Sequence, residues 1–286
     1  MITVFKFGNA NNYFRKFYFR KVYSRFKLAI KYCHYWFTAS NGKGHGIHSP
    51  FVFQFITQVL NDNKKHETYE QVEELRNQLL SNNLQLEVED FGAGSFASAK
   101  KNKTIASIAR HAAKPKKFGQ LLFRIAKKYQ PKTIVELGTS LGISTCYLSL
   151  ANRSASIFTL EGSESIAAIA KNNFEKIGAE NCKQVLGNFD STLQPVLNQI
   201  ETVDLCFLDG NHRKVPTENY FNQLLTKKNS NSIFILDDIH WSKGMESAWE
   251  IIKNNPEVRC TIDLFFIGIV FFKHEIIEPQ HFKIRF

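Results

Sequence analysis

The stretch that most constrains this sequence is KTIVELGTSLGISTCYLS, residues 132–149. Residues 133–135 are β-branched and apolar, as is typical of a strand buried on both faces. A loop from Gly138 to Gly142 follows, and residues 144–150 have the composition of a helix. A glycine at the strand end permits a tight turn, and a second lets the backbone approach a ligand closely. The stretch predicts a strand, a glycine loop and a helix whose first N–H groups lie beside that loop.

Strand and helix patterns alternate after this stretch, which indicates an α/β fold with a parallel sheet. The apolar runs predict four further strands and then two closing strands, at residues 156–160, 182–186, 203–208, 232–236, 259–264 and 266–272. The intervening segments have helical patterns, and residues 118–129 form an amphipathic helix before the first strand.

The glycine loop reads G-x-x-x-G and lacks the third glycine of a dinucleotide fingerprint. Glu136 stands just before the first glycine, and VELGTSLG resembles motif I of the class I S-adenosylmethionine-dependent methyltransferases. A glycine after a buried strand is also a common structural turn. The resemblance covers about residues 118–273 and implies a Rossmann-like, seven-stranded sheet whose last strand is antiparallel.

Polar residues follow nearly every predicted strand, where open α/β sheets bind their ligands. Glu161 lies 23 residues after Gly138 and can accept hydrogen bonds from both ribose hydroxyls of a nucleoside. Glu161 and Asp190 also fit helix N-caps, so that alternative stays open. The resemblance implies a set of residues that bind S-adenosylmethionine, namely Glu136, Gly138, Ser140, Gly142, Glu161, Asn188, Phe189 and Asp209.

Two further segments, VDLCFLDGNH and SIFILDDIHW, resemble strand ends of the cation-dependent O-methyltransferases related to catechol and caffeoyl-CoA enzymes. Those enzymes bind Mg²⁺ through one Asp and an Asp-Asn pair, whereas this chain has Asp-Asp. The resemblance implies a metal site formed by Asp209, Asp237 and Asp238. Close carboxylates repel one another unless a cation lies among them, and Mg²⁺ prefers oxygen ligands.

Two histidines close to these aspartates are candidates for the general base that takes the acceptor's proton. His212 belongs to DGNH, which resembles a pattern of bacterial sugar and small-molecule O-methyltransferases, and His240 follows the Asp-Asp pair. Either could instead be a solvated loop residue. The predicted catalytic set is Asp209, His212 and His240.

The net charge of +11 is concentrated near the N-terminus. Residues 1–61 contain nine Lys and Arg and no Asp or Glu, which leaves 11 − 9 = +2 for the remainder. This distribution argues against nucleic acid lying across the whole protein. Residues 11–37 predict a basic aromatic helix whose apolar stripe is Phe19, Val22, Phe26, Ile30, Cys33 and Phe37.

Three interpretations of residues 11–37 remain open: packing on the main domain, an in-plane helix on an anionic membrane, or contact with RNA or a protein. No run of 18 apolar residues suggests a transmembrane helix. The five scattered cysteines indicate reduced thiols. We therefore expect a cytoplasmic protein, with peripheral contact to the inner face of the membrane as an open alternative.

The chain is divided by these patterns into a basic helical extension (1–40), a helical cap or linker (41–117) and a methyltransferase domain (118–286). His45 and His48 fit a loop better than a metal site. Residues 84–95 alternate like a strand and end in a second glycine motif. Because no buried strand follows, we interpret this second motif as part of a loop before the domain, not as a cofactor site.

The resemblance predicts a methyltransferase that acts on a hydroxyl oxygen of a small or lipophilic acceptor, assisted by Mg²⁺. Two alternatives remain: a metal-independent N-methyltransferase, and a non-catalytic module of the same fold anchored to membrane or RNA. The sequence carries no prediction of oligomeric state.

Overall fold

A computed structural model describes residues 22–89, 100–112 and 115–286. Its N-terminal part contains α1 (Arg25–Thr38), α2 (Pro50–Phe55) with a following π-helical turn (Ile56–Leu60), α3 (Glu67–Ser81), the strands β1 (Gln85–Glu89) and β2 (Lys100–Thr104), and α4 (Ile105–Ala112). Helix α5 (Lys116–Tyr129) then leads into the alternating region.

That region contains β3 (Thr133–Leu137), α6 (Ile143–Ala151), β4 (Ser156–Glu161), α7 (Glu164–Ile177), β5 (Cys182–Leu186), α8 (Phe189–Asn198), β6 (Leu205–Leu208), α9 (Lys214–Leu225), β7 (Ile233–Asp237), α10 (Lys243–Lys253), β8 (Cys260–Asp263), β9 (Ile267–Phe271) and β10 (Gln280–Lys283). The predicted strands and helices are all present, with ends that differ by a few residues.

The main sheet has the strand order β10-β8-β9-β7-β6-β3-β4-β5. Strands β3 to β7 pair in parallel, and β9 lies antiparallel between β7 and β8. This order confirms the predicted Rossmann-like sheet with an antiparallel last strand. The additional strand β10 was not predicted. It pairs in parallel with β8 at the edge of the sheet, and its sequence QHFK is too short and polar to indicate a strand.

Strand β3 lies in the middle of the sheet. Its side chains alternate between the two faces, and each face packs in a core. Ile134 packs in a core cluster with residues of α2 and α5, whereas Val135 and Leu137 belong to the cluster on the opposite face, with residues of α8, α9 and α10. All of these side chains are fully buried. Helices on both faces explain why the strand is continuously apolar.

The N-terminal predictions are partly wrong. Helix α1 begins at Arg25, after the N-cap Ser24, and Val22 forms an antiparallel bridge with Ser242 instead of belonging to a helix that spans 11–37. Residues 1–21, including Phe19, lie outside the described residues. Strand β1 confirms the alternating pattern, but its partner β2 in the stretch KKNKT was not predicted. The second glycine motif, residues 90–95, also lies outside the described residues.

All five cysteines are free thiols. None of the helices in the described part of the chain has the length and hydropathy needed to cross a bilayer. The predicted division at residues 40 and 117 stays a prediction, although Val52 and Phe55 of α2 share one core cluster with Leu121 of α5 and with the sheet.

Candidate active site

The glycine loop after β3 lies directly against the end of β6. Gly138 has φ +105°, and the N–H of Asp209 donates a hydrogen bond to the carbonyl oxygen of Leu137 at 2.9 Å. A Cβ atom at Gly138 would lie 2.2 Å from the carbonyl oxygen of Asp209. Gly142, with φ +81°, is the N-cap of α6. The loop and Asp209 therefore form one continuous surface at the carboxyl edge of the sheet.

We expect Gly138→Ala to destabilise the fold by at least about 3 kcal/mol, because it combines a left-handed backbone with a clash against fixed backbone. Gly46→Ala is the matched control. Gly46 also has a positive φ, +78°, but no atom lies within 4 Å of its would-be Cβ, so its cost should stay at about 1 kcal/mol. Urea denaturation of the two variants measures both values, and equal costs would show that the Gly138–Asp209 contact is not restrictive.

Glu161 is held by one backbone N–H group from the glycine loop and one from the N-cap of α7. Its Oε2 accepts from the N–H of Ser140 at 2.8 Å, and its Oε1 accepts from the N–H of Ser163 at 2.9 Å. Ser163, not Glu161, is the N-cap of α7. Burial raises the pKa of Glu161, and hydrogen bonds from the backbone of residues 163, 140 and 162 lower it, with a net increase. A carboxylate has about four acceptor positions, so Glu161 keeps acceptor capacity for a ribose.

Glu136 is completely buried between β3, α6 and β4. Its Oε2 accepts hydrogen bonds from the hydroxyls of Thr145 and of Thr159, the latter at 2.7 Å. Burial raises its pKa, and hydrogen bonds from Ser144, Thr145 and Thr159 counteract that increase only in part. In this arrangement Glu136 fixes the position of α6 behind the glycine loop, and its predicted contact with the cofactor stays a prediction.

Asn188 and Phe189 lie at the start of α8, and their role beside an adenine stays a prediction. The Asn188 side chain caps the helix by accepting from the N–H of Asp190 at 3.0 Å. Phe189 packs edge-to-face on Tyr220, with ring centroids 6.0 Å apart. It also lies over Gly210, where a Cβ would come within 2.4 Å of the Phe189 ring. Phe189 is therefore fixed beside the loop that begins at Asp209.

Tyr220 and Asn211 are residues that sequence reasoning missed. The Tyr220 hydroxyl donates to Asp190 Oδ1 at 2.6 Å and accepts from Asn211 Nδ2 at 3.0 Å. Burial, and next the hydrogen bond to Asp190, raise the pKa of Tyr220. Asn211 has φ +52° in the turn after Asp209, a conformation that Asn tolerates well. This network holds the loop of residues 209–212 against α8, and the Asp-Gly-Asn turn was the available signal.

Asp209, His212 and Asp237 form one group at the ends of β6 and β7. One ligand atom from each lies within 4.8 Å of the others, and His212 Nε2 is 3.6 Å from Asp209 Oδ1. Asp237 is only 1% exposed. Two carboxylates and an imidazole fit a divalent cation such as Mg²⁺ or Mn²⁺. Asp238, which the sequence also suggested, follows with φ +54° and is not part of this group.

His240, a predicted general base, is engaged elsewhere. Its Nε2 is 2.9 Å from Asp263 Oδ2, its Nδ1 is 3.1 Å from Glu246 Oε1, and its ring stacks on Phe265. Burial lowers the pKa of His240, but the hydrogen bonds and charges of Asp263 and Glu246 outweigh that effect and raise it. In this arrangement His240 positions the loop after β7, and neither ring nitrogen is available for a substrate proton.

His45 and His48 are exposed in the loop before α2. They do not belong to the group of metal-ligating side chains found among the described residues.

A family model described as a methyltransferase domain matches residues 135–239. The match begins within β3 and ends just after β7, so it includes the glycine loop and the group of Asp209, His212 and Asp237. Residues 135–239 are thus similar to a methyltransferase domain. A catechol O-methyltransferase from Niastella koreensis is 28% identical over 124 residues, which represent 42% of this chain and 55% of that protein. The chain therefore spans about half the length of this curated relative.

Solved structures share the fold of this chain. The SAH-bound methyltransferase PaMTH1 from Podospora anserina superposes with a TM-score of 0.55 at 16% identity, over 79% of this chain and 97% of that chain. An O-methyltransferase from Bacillus cereus in complex with SAH gives 0.53 at 22% identity, over 77% of this chain and 97% of that chain. At these identities the likeness shows the fold, and it extends well beyond the segment that the family model matches.

Proposed function

We propose that this protein is an S-adenosylmethionine-dependent O-methyltransferase that methylates a small or lipophilic hydroxylated acceptor with the help of a divalent cation. The observation that carries the proposal is the direct contact between the glycine loop at Gly138 and the strand end that bears Asp209. The loop of residues 209–212, which follows β6, brings His212 to Asp237. A cofactor loop and a cation site then share one edge of the sheet. The O-methyltransferases among the relatives support oxygen as the methyl acceptor.

In this proposal the residues around the glycine loop bind the cofactor, which supplies an electrophilic methyl group. Gly138, Ser140 and Gly142 line the methionine portion, where the open N-terminus of α6 offers N–H groups. Glu161 accepts hydrogen bonds from the ribose with its remaining acceptor capacity. Asn188 and Phe189 flank the adenine, with the Phe189 ring as the stacking surface.

Asp209 and Asp237 are the proposed ligands of the cation, which supplies a positive charge that lowers the pKa of the acceptor hydroxyl. His212 lies close enough to Asp209 to act as a third ligand or to accept the acceptor's proton, and the Asp209 carboxylate would stabilise the resulting imidazolium. Asp237 is buried, so the surrounding protein holds its carboxylate in place, which favours alignment of the reacting groups.

We expect EDTA to reduce methyl transfer by at least about 100-fold and added Mg²⁺ to restore it, because the cation stabilises the developing oxyanion. Catechol serves as the probe acceptor, and SAH formation is measured by mass spectrometry. Thermal stabilisation by SAH should persist in EDTA, which shows that the chelator leaves the cofactor site intact.

Full activity in excess EDTA would remove the cation from the proposal and favour metal-independent transfer, which amine acceptors would then test. Absence of any stabilisation by SAH would favour a non-catalytic module.

The five free cysteines support a reducing compartment such as the cytoplasm as the place where the protein works.

A further inference from the structure

Helix α1 carries two apolar stripes on nearly opposite faces. One consists of Leu28, Tyr32, Tyr35 and Ala39, and the other of Phe26, Ile30, Cys33 and Phe37. Both repeat at steps of four, three and four residues. They are offset by two residues, which is about 200° around a helix. Only one stripe can therefore pack on the domain.

The inner stripe packs on the turn between β8 and β9. Tyr35, Ala39 and Phe265 form a buried cluster, with Tyr32 packed beside it. The Tyr32 and Tyr35 rings lie 5.1 and 5.3 Å from the Phe265 ring. Lys31 Nζ forms an ion pair with Glu246 Oε1 at 2.8 Å. The helix is thus fixed in orientation, and its other face is directed outward.

The outer stripe is exposed along the whole helix. Phe26 is 77% exposed, Ile30 53% and Phe37 82%, and Cys33 is also exposed. Trp36, 42% exposed, lies beside the stripe, with the guanidinium of Arg285 over its ring. Within the described part of the chain, Phe26, Ile30, Cys33 and Phe37 all stay exposed. A surface helix with several exposed aromatic and aliphatic residues in one row is characteristic of an interaction site.

The charge of the surrounding sequence identifies the kind of partner. Arg25 and Lys27 flank the stripe and are exposed, and residues 1–61 contain nine Lys and Arg with no Asp or Glu. Association of two copies through this face would bring the positive charges of both chains together. An apolar row bordered by basic residues instead fits an in-plane helix on an anionic bilayer, where hydrocarbon receives the row and headgroups neutralise the charge.

We propose that the outer face of α1, formed by Phe26, Ile30, Cys33 and Phe37, docks the protein on the surface of an anionic lipid bilayer. The phenylalanines enter the headgroup–acyl boundary. The exposed Arg25 and Lys27, which flank the stripe, contact the phosphate groups.

Docking would also place the acceptor edge of the sheet near the bilayer. The N–H of Tyr23, just before α1, donates to the carbonyl oxygen of Trp241 in the loop after Asp237, and the N–H of Asp238 donates to the carbonyl oxygen of Phe266 at 2.7 Å. An amphipathic, membrane-resident hydroxyl compound is then the expected class of acceptor. This consequence rests on the proposed function, whereas the docking itself does not.

Vesicle co-sedimentation of the full-length protein tests the docking without any cofactor. The wild type is expected to bind vesicles of phosphatidylcholine and phosphatidylglycerol at 3:1 at least about tenfold more strongly than pure phosphatidylcholine vesicles, because the basic residues contribute attraction. Phe26→Ser/Phe37→Ser should weaken binding about 100-fold, roughly tenfold for each lost phenylalanine. The matched control is Val215→Ser/Ile277→Ser, which removes residues that are 61% and 80% exposed elsewhere and should bind as the wild type does.

Several outcomes would overturn the proposal. One is that the Phe26/Phe37 variant binds vesicles as strongly as the wild type. A second is that the wild type shows no preference for anionic vesicles. A third is that the wild type binds single-stranded RNA but no vesicles. A dimer in gel filtration that the variant dissolves, without vesicle binding, would assign the face to a second copy. Melting temperatures of both variants verify folding. Catechol methylation in the absence of vesicles is unaffected by a failure of docking, so the two proposals can fail separately.

Discussion

Glu161→Gln is expected to weaken SAH binding by about 100-fold. The carboxylate accepts the N–H groups of Ser140 and Ser163, and its other acceptor positions are the proposed site of the ribose hydroxyls. A glutamine has only one acceptor oxygen, so its NH₂ group must face either a backbone N–H or a ribose hydroxyl. Each hydrogen bond to a charged acceptor contributes about 1.5–3 kcal/mol, and the loss of two of them accounts for the expected change.

Calorimetric titration with SAH measures this change, and urea denaturation of the free protein separates it from a loss of stability. Glu164→Gln is the control, because Glu164 lies three residues away in the first turn of α7 and is exposed. It should alter SAH affinity by less than about twofold. If Glu161→Gln binds SAH within threefold of the wild type, the cofactor does not lie at this strand end.

The central part of the fold could be predicted because its signals are local. Most of the strands from β3 to β9 are apolar runs that end in turns, and the helices between them have clear periodicity. Strand β2 could not be predicted, since KKNKT has no alternation of its own and is a strand only through pairing with β1. Strand β10 similarly depends on its hydrogen bonds to β8 at the sheet edge.

Helix α1 shows that a correct periodicity does not by itself tell which apolar stripe packs on the domain. Phe26, Ile30 and Phe37 form a regular apolar stripe, and so do Leu28, Tyr32 and Tyr35. The sequence alone does not say which stripe meets the domain. The choice depends on the shape of the turn at Phe265, a tertiary feature that no local pattern contains.

The candidate site was predicted to the level of strand ends but not of partners. The rule that parallel strands end at one edge brought Asp209 and Asp237 together correctly. His212 was expected to act as a base, and the structure places it within the same group as the aspartates. The engagement of His240 with Asp263 and Glu246 was not visible, because those residues belong to β8 and α10, which only the folded chain brings to the loop.

Asp237→Asn is expected to weaken Mn²⁺ binding by at least about 100-fold while SAH affinity stays within about threefold of the wild type. Asp237 is buried and shares the group with Asp209 and His212, so its charge would be directed at a bound cation. Substitution of residues that merely support metal ligands commonly costs 10- to 100-fold in affinity, and a direct ligand should cost at least as much. Electron paramagnetic resonance of free Mn²⁺ measures the affinity. Mg²⁺ should raise the melting temperature of the wild type but not of the variant.

Asp238→Asn is the decisive comparison, since it makes the same chemical change at the adjacent residue. The geometry predicts a loss below about fivefold, because Asp238 lies outside the group of three. The resemblance to cation-dependent O-methyltransferases instead implies that Asp238 is a ligand, which would give a loss as large as that at Asp237. Unchanged Mn²⁺ binding in both variants would exclude a cation at this edge of the sheet. Since SAH is bound by other residues, that result would leave the cofactor site standing and would make His212 the candidate for activation of the acceptor without metal.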